Sequence, residues 1–154
     1  MGSSDVTGIG ERAGGGAGSL RASITLPADV DAPSGARAFV HERLVGRPVS
    51  DDVLADLLVV VSELVSNAVQ HGAGDPRLEL RLDGRCVRVE VGDDAVDSPP
   101  TPRAHDGAAF RGRGLLIVAA VADRWGHARR GDVKWIWAEL DATTARVLTS
   151  GPVA

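Results

Sequence analysis

The longest regular pattern of hydrophobic positions lies between residues 51 and 71. Apolar side chains recur there at steps of three and four residues, which is typical of an amphipathic helix. They are Leu54, Leu57, Leu58, Val61, Leu64, Val65 and Ala68. Ser50 is a favourable N-cap, and Asp51 and Asp52 suit the positive end of the helix dipole. We expect the helix to end at Gly72.

Two shorter patterns precede this helix. Residues 20–26 alternate apolar and polar positions and end at Pro27, which predicts a first strand near a sheet edge. Asp31 followed by Pro33 predicts the N-cap and first turn of another helix. That helix should end before Gly46.

A hairpin is predicted after the long helix. Residues 78–82 and 87–91 each alternate apolar and polar side chains, and Asp83 and Gly84 between them are a typical turn signal. Residues 92–114 then break all periodicity and contain three prolines. A loop of this length is commonly a lid or a binding loop.

The last elements complete the fold class. Residues 114–122 predict a short, buried helix, and residues 124–140 predict a second hairpin. Trp135 and Trp137 should share one face of the last strand, with Ile136 on the other. Helices grouped beside strands predict an α+β fold: a two-layer α/β sandwich whose mixed, mostly antiparallel sheet is covered on one face by helices.

We predict three segments along the 154 residues. Residues 1–18 are rich in Gly and Ser, which predicts a disordered tail. Residues 19–141 should form a single domain, since this length and a hydrophobic content of 44% are ordinary for one. Residues 142–154 lose the pattern and are expected to be a C-terminal tail.

Composition excludes several classes of protein. A net charge of −4 gives no electrostatic footprint for nucleic acid, and no apolar run approaches the roughly 20 residues that span a bilayer. With no secretory signal pattern, we expect a cytoplasmic protein. Cys86 is the only cysteine, and the histidines have no metal-ligand spacing. The sequence contains a single lysine, Lys134, and has no Walker-type phosphate loop.

Polar residues accompany the apolar stripe of the long helix. Glu63, Asn67 and His71 are spaced four residues apart, so they follow one edge of the helix. An asparagine oxygen can be one ligand of a Mg²⁺ ion held mainly by water and phosphates, and a glutamate one turn earlier can act as a base. The alternative is the ordinary polar shoulder of a half-buried helix.

Two further positions carry candidate chemistry. Asp93 follows a predicted strand and could accept a hydrogen bond from the amine of adenine; the alternative is a turn-initiating aspartate. Gly112, Arg113 and Gly114 lead into a helix whose free N–H groups attract phosphate, although such glycines are also common at flexible loop ends.

Four segments together resemble a known family: E-L-V-S-N-A-V-Q-H-G, V-E-V-G-D-D, G-R-G-L-L-I-V and K-W-I-W-A-E-L. They are similar to the GHKL (Bergerat-fold) ATPase superfamily, and most similar to the anti-sigma-factor serine kinase-like domains of actinobacteria. The resemblance covers about residues 20–141 and implies the histidine-kinase-like ATPase fold.

The resemblance also implies roles for individual residues. Glu63 matches the catalytic base and Asn67 the Mg²⁺ ligand. Asp93 matches the adenine-binding aspartate, and His71 matches a histidine with a phosphate-side or helix-end role. The implied phosphate-lid residues are Arg111, Gly112, Arg113 and Gly114.

The sequence departs from the family pattern in two places. The second motif usually contains glycines, whereas Asp93 is followed here by Asp94, Ala95 and Val96. Trp135 stands where the family often has a small threonine close to adenine. These departures bear on nucleotide affinity rather than on the fold.

The resemblance implies an ATP- and Mg²⁺-dependent protein serine kinase. It would phosphorylate an anti-anti-sigma (STAS-type) partner and sequester a sigma factor when that partner is absent or phosphorylated. A homodimer would suit the family, and neither direct nucleic-acid binding nor a membrane is expected. The alternative is a non-enzymatic partner-binding module with a degenerate nucleotide site. A sensor kinase fits less well, because a long dimerisation helix with a phosphoacceptor histidine is missing from the sequence.

Overall fold

Three helices and six strands make up the part of the chain that the structure describes. The structure is a computed structural model, and it describes residues 18–94 and 113–144 and the backbone of residues 10–11. The helices are α1 (Ala32–Leu44), α2 (Asp51–His71) and α3 (Arg113–Val121). The strands are β1 (Gly10–Glu11), β2 (Leu20–Thr25), β3 (Arg77–Asp83), β4 (Cys86–Asp93), β5 (Arg124–Arg130) and β6 (Val133–Asp141).

The strands form one sheet in the order β1-β2-β3-β4-β6-β5, and each neighbouring pair is antiparallel. The two predicted hairpins are β3–β4 and β5–β6, with tight turns at Gly84 and Gly131. Both glycines have positive φ values of 58° and 59°, which favour glycine at these turns. The predicted fold class and its mostly antiparallel sheet are confirmed.

The boundaries of α2 follow from its sequence. The Ser50 hydroxyl accepts a hydrogen bond from the N–H of Val53 at 3.2 Å, so the predicted N-cap is present. At the other end, the N–H of Gly72 donates to the carbonyl of Ala68 at 2.8 Å. The predicted extent of this helix is therefore confirmed.

One face of the sheet packs against the helices. The inward-facing side chains of β3 and β4 are buried: Leu78, Leu80, Leu82, Val87, Val89 and Val91. The buried stripe of α2 lies over them: Val53, Leu57, Val60, Val61, Leu64, Val65 and Ala68. Full burial of each such side chain contributes about 1.5–3 kcal/mol, so this interface fixes α2 on the sheet. Among the described helices, none combines the length and apolar character needed to cross a membrane.

Two details differ from the sequence prediction. Gly10 and Glu11, within the segment predicted as a tail, pair with Ser23 and Ala22 of β2. Asp31 is the N-cap of α1, but its side chain makes no capping hydrogen bond, because its backbone is in the helical rather than the extended region. The other predicted tail residues from 145 onward, and most of residues 1–17, lie outside the described part of the chain.

Candidate functional site

The polar ladder of α2 lies on the edge of the helix beside its buried stripe. Glu63, Asn67 and His71 are each half-buried. Four residues of an α-helix rise about 6 Å, so the ladder extends about 12 Å from Glu63 to His71. It therefore connects two places on the molecule, one near the start of α3 and one near the end of β4.

The first place is where α3 begins. A Cβ added to Gly114 would lie 2.8 Å from Oε2 of Glu63, so the backbone of Gly114 passes directly beside this carboxylate. Arg113 is the first residue of α3. Backbone N–H groups in the first turn of a helix have no intrahelical partner and favour anionic groups. The structure thus brings Glu63, the predicted catalytic base, beside the start of α3, which is part of the predicted phosphate-binding segment.

The rest of that predicted segment cannot be placed. Arg111 and Gly112 lie outside the residues that the structure describes, as do Ala95 and Val96 of the altered second motif. Of the predicted lid residues, only the backbone of Arg113 and the whole of Gly114 are described.

The second place is the carboxyl end of β4. Asp93 is the last residue of β4, and it is only 2% exposed. A Cβ added to Gly72 would lie 2.8 Å from Cγ of Asp93 and 2.2 Å from the carbonyl oxygen of Ala68. Because φ of Gly72 is −85°, the glycine is required for space rather than for a left-handed conformation. The end of α2 and the carboxylate of Asp93 are therefore in close contact.

The pairing of β4 with β6 places Lys134 directly opposite Asp93. Directly opposite residues of an antiparallel pair share a face of the sheet. Accordingly, Nζ of Lys134 lies 3.8 Å from Oδ2 of Asp93, and the lysine side chain is only 13% exposed. Sequence reasoning missed this contact; the one signal was that Lys134 is the only lysine in the chain.

Trp135 lies on the other face of the sheet. It is opposite Gly92, where an added Cβ would be 2.8 Å from the indole ring. Trp135 was expected at the position of a family threonine close to adenine, but its side chain lies on the face of the sheet away from Asp93, because successive residues of a strand point to opposite faces. Lys134, one residue earlier, occupies the position beside Asp93.

The open face of the sheet is the one that does not pack against the helices. Charged and aromatic side chains contact one another there, near this end of β4. The guanidinium of Arg130 stacks on the Trp135 ring at 4.9 Å, and that of Arg88 stacks on Trp137 at 4.2 Å. Between them, Glu90 is 1% exposed and accepts hydrogen bonds from both arginines. Burial by itself raises the pKa of the Glu90 carboxyl, but these bonds outweigh it and the pKa lies below its ordinary value.

The donor set on α2 suits a metal held mainly by other ligands. Within the described ranges, no group of three His, Cys, Asp or Glu side chains could hold a metal ion. Asn67 offers one amide oxygen and Glu63 one carboxylate, a turn apart. Mg²⁺ commonly takes one or two protein oxygens together with waters and substrate phosphates, so these residues fit such an ion.

The profile of the histidine kinase-like ATPase domain family matches residues 26–139. The chain therefore belongs to this family, and the predicted membership of the GHKL type is confirmed.

The fold is also similar to a solved structure, that of the RsbU and RsbW domains of Rv1364c from Mycobacterium tuberculosis. The TM-score is 0.61 and the sequence identity is 24%, with the match covering 79% of this chain and 32% of that one. The match thus spans about a third of the chain in that structure, and the likeness shows the shared fold.

Proposed function

We propose that the protein binds ATP with Mg²⁺ and is an anti-sigma regulatory factor that acts as a protein serine kinase. Its substrate would be a serine of an anti-anti-sigma (STAS-type) partner, and it would sequester a sigma factor. Family membership and the likeness to a structure that contains an RsbW domain support this proposal. The observation that carries it is the ladder of α2, which has the start of α3 at one end and Asp93 at the other.

In this proposal the adenine ring and the phosphates of ATP bind at opposite ends of the ladder formed by Glu63, Asn67 and His71. The carboxylate of Asp93 is an acceptor and would take a hydrogen bond from the adenine amine. The N–H groups at the start of α3 would bind the phosphates. Glu63 and Gly72 are nine residues apart, about 14 Å along the helix, which separates the two subsites by a length that suits a nucleoside triphosphate.

Asn67 would hold Mg²⁺ through its amide oxygen, and the ion, when bound, neutralises charge on the phosphates. Glu63 would accept the proton of the attacking serine hydroxyl, the usual role of a carboxylate in protein phosphorylation. The start of α3 would fix the phosphates against the same carboxylate. Asn67, Glu63 and the start of α3 thus have different roles, so substitutions at these places should have different effects on ATP binding and on phosphoryl transfer.

The wider setting is part of the same proposal. Residues 19–141 would be one ATP-binding domain acting in the cytoplasm, where the sigma factor acts, and the protein would form a homodimer. Next to this range, Ala142 is buried, and its carbonyl accepts a hydrogen bond from the N–H of Ser50 at 2.8 Å.

A non-enzymatic partner-binding module is the second candidate. The altered second motif favours it, since Asp93 is followed by Asp94, Ala95 and Val96 rather than by the usual glycines. In that case the fold would bind its protein partner equally well with and without ATP.

Transfer of labelled phosphate decides between the two. The purified chain would be incubated with Mg²⁺, γ-labelled ATP and a panel of purified STAS-type proteins. We expect one of them to be labelled on serine by the wild type. Glu63→Gln should bind ATP within a few-fold of wild type and label nothing. Normal ATP binding without transfer to any panel member, with a partner bound equally in its presence and absence, would favour the binding module.

A further inference from the structure

We infer that Lys134 reads the nucleotide base together with Asp93, by donating a hydrogen bond to the ring nitrogen N1 of adenine while Asp93 accepts from the neighbouring amine. This inference rests on the proposed nucleotide binding. It adds a specificity-determining residue to which the family resemblance assigns no role.

Lys134 and Asp93 are neighbours across two paired strands. Lys134 and Asp93 are a directly opposed pair near the end of the β4–β6 ladder, on the face of the sheet that packs against the helices. Asp93 contacts the end of α2 at Gly72. A ligand that binds the carboxylate of Asp93 from this face would lie close to the ammonium of Lys134.

Both side chains are largely shielded from water. Asp93 is 2% exposed, and the side chain of Lys134 is 13% exposed. Removing two charges from water is costly, and the cost is offset only when the charges remain partnered. A ligand that bound Asp93 alone and displaced Lys134 would leave a buried ammonium without its anion.

The two charged atoms are close, but they are not in hydrogen-bond contact. Nζ of Lys134 and Oδ2 of Asp93 are 3.8 Å apart. Direct hydrogen bonds between such atoms are about 2.7–3.2 Å long, so the pair attracts electrostatically without a short bond that a ligand would have to break. An ammonium has three donors, so Lys134 can also donate to an acceptor that lies beside the carboxylate.

The chemistry of the pair then selects the edge of the base. A carboxylate only accepts and an ammonium only donates. Adenine presents an amine donor beside a ring-nitrogen acceptor, the complementary order. Guanine and hypoxanthine present a carbonyl oxygen beside a ring N–H, which in the same orientation would set acceptor against acceptor and donor against donor. Lys134 and Asp93 together therefore favour an aminopurine.

The test compares ATP with two analogues that each lack one ring nitrogen. Dissociation constants for ATP, 1-deaza-ATP and 7-deaza-ATP would be measured by calorimetry with Mg²⁺, on wild type and on Lys134→Met. The wild type should bind 1-deaza-ATP about 10- to 100-fold more weakly than ATP, the effect of losing a hydrogen bond to a charged group. Lys134→Met should bind ATP and 1-deaza-ATP alike, and 7-deaza-ATP should bind both proteins as ATP does.

Arg77→Met is the matched control. Arg77 pairs with Asp94, the next carboxylate along the chain, at 3.1 Å, but it lies opposite Gly92 and so on the open face. This variant should discriminate against 1-deaza-ATP as strongly as wild type does. Equal loss of discrimination in both variants would show a general charge effect and overturn the inference.

Three other results would also overturn it. The first is equal affinity of wild type for ATP and 1-deaza-ATP. The second is that Lys134→Met still binds 1-deaza-ATP more weakly than ATP, by the same factor as wild type. The third is that 7-deaza-ATP, rather than 1-deaza-ATP, binds more weakly than ATP in a way that depends on Lys134. If Lys134→Met does not fold, judged by its urea unfolding curve, the wild-type comparison still decides whether N1 is read. Absence of ATP binding by wild type would refute the proposed function itself, which is a separate and prior result.

Discussion

Adding one methyl group at Gly72 is expected to destabilise the protein, because the end of α2 has no room for it. The new Cβ would lie 2.2 Å from the carbonyl oxygen of Ala68 and 2.8 Å from Cγ of Asp93. The first is a backbone atom and the second is close to the main chain of a buried residue, so neither can move away cheaply.

The magnitude follows from two opposing effects. The φ of −85° and ψ of 178° at Gly72 are available to alanine, so Gly72→Ala gains about 0.4–1 kcal/mol from a less flexible unfolded chain. Forcing extra volume into a well-packed site costs about 1–3 kcal/mol. The steric cost should prevail at these distances. For a chain of this length, each kcal/mol lowers the midpoint of thermal unfolding by about 2–4 °C.

Urea unfolding followed by tryptophan fluorescence measures this difference, and Gly114→Ala is the matched control. Its Cβ would lie 2.8 Å from Oε2 of Glu63, the far end of a flexible side chain that can rotate away. Gly114→Ala should therefore be close to wild type in stability, whereas Gly72→Ala should unfold at lower urea. Equal or greater stability of Gly72→Ala would refute the inferred contact between α2 and Asp93.

Two further predictions concern a helix cap and a buried charge. Ser50→Ala should lower the free energy of unfolding by about 1 kcal/mol through loss of the cap of α2, and Asp31→Ala should cost clearly less, because Asp31 makes no capping bond; equal costs would contradict this. Glu90→Gln should change the pH dependence of stability. The pKa of Glu90 is lowered in the folded state, so its contribution is present above the unfolded value of 4.5 and is lost as the pH falls through the folded pKa. The stability advantage of wild type over Glu90→Gln, from urea midpoints at pH 7 and pH 3.5, should shrink at the lower pH, and an unchanged difference would refute this.

The sequence predicted the elements well because their signals are local. Ser50 caps α2 and Gly84 closes a hairpin as expected, since a helix cap and a tight turn each depend on residues only a few positions apart in the sequence. Asp93 and Glu63 were predicted as site residues from the sequence, because each lies in a recognisable motif, and their roles stay predictions. These residues define the two ends of the proposed site.

The rest depends on register between segments that are distant along the chain. Whether Lys134 or Trp135 faces Asp93 is decided by the pairing of β4 with β6, and a shift of one residue exchanges the faces. The pattern of the last strand gives its two faces but not its partner residues. Gly72 was expected as a helix stop, whereas its contact with Asp93 depends on how α2 packs on the sheet.

In this account α2 organises a nucleotide site, in which the adenine base binds at Asp93 and Mg²⁺ binds at Asn67. Calorimetry of ATP binding with and without Mg²⁺ tests it most directly, on wild type, Asn67→Ala, Asp93→Asn and the neighbouring control Asp94→Asn. We predict Mg²⁺-dependent binding by wild type and Asp94→Asn. Asn67→Ala should bind about 1–3 kcal/mol more weakly and lose the Mg²⁺ dependence, and Asp93→Asn should weaken by a similar amount but keep it. No binding by wild type at millimolar ATP, or equal binding by all four proteins, would contradict the account.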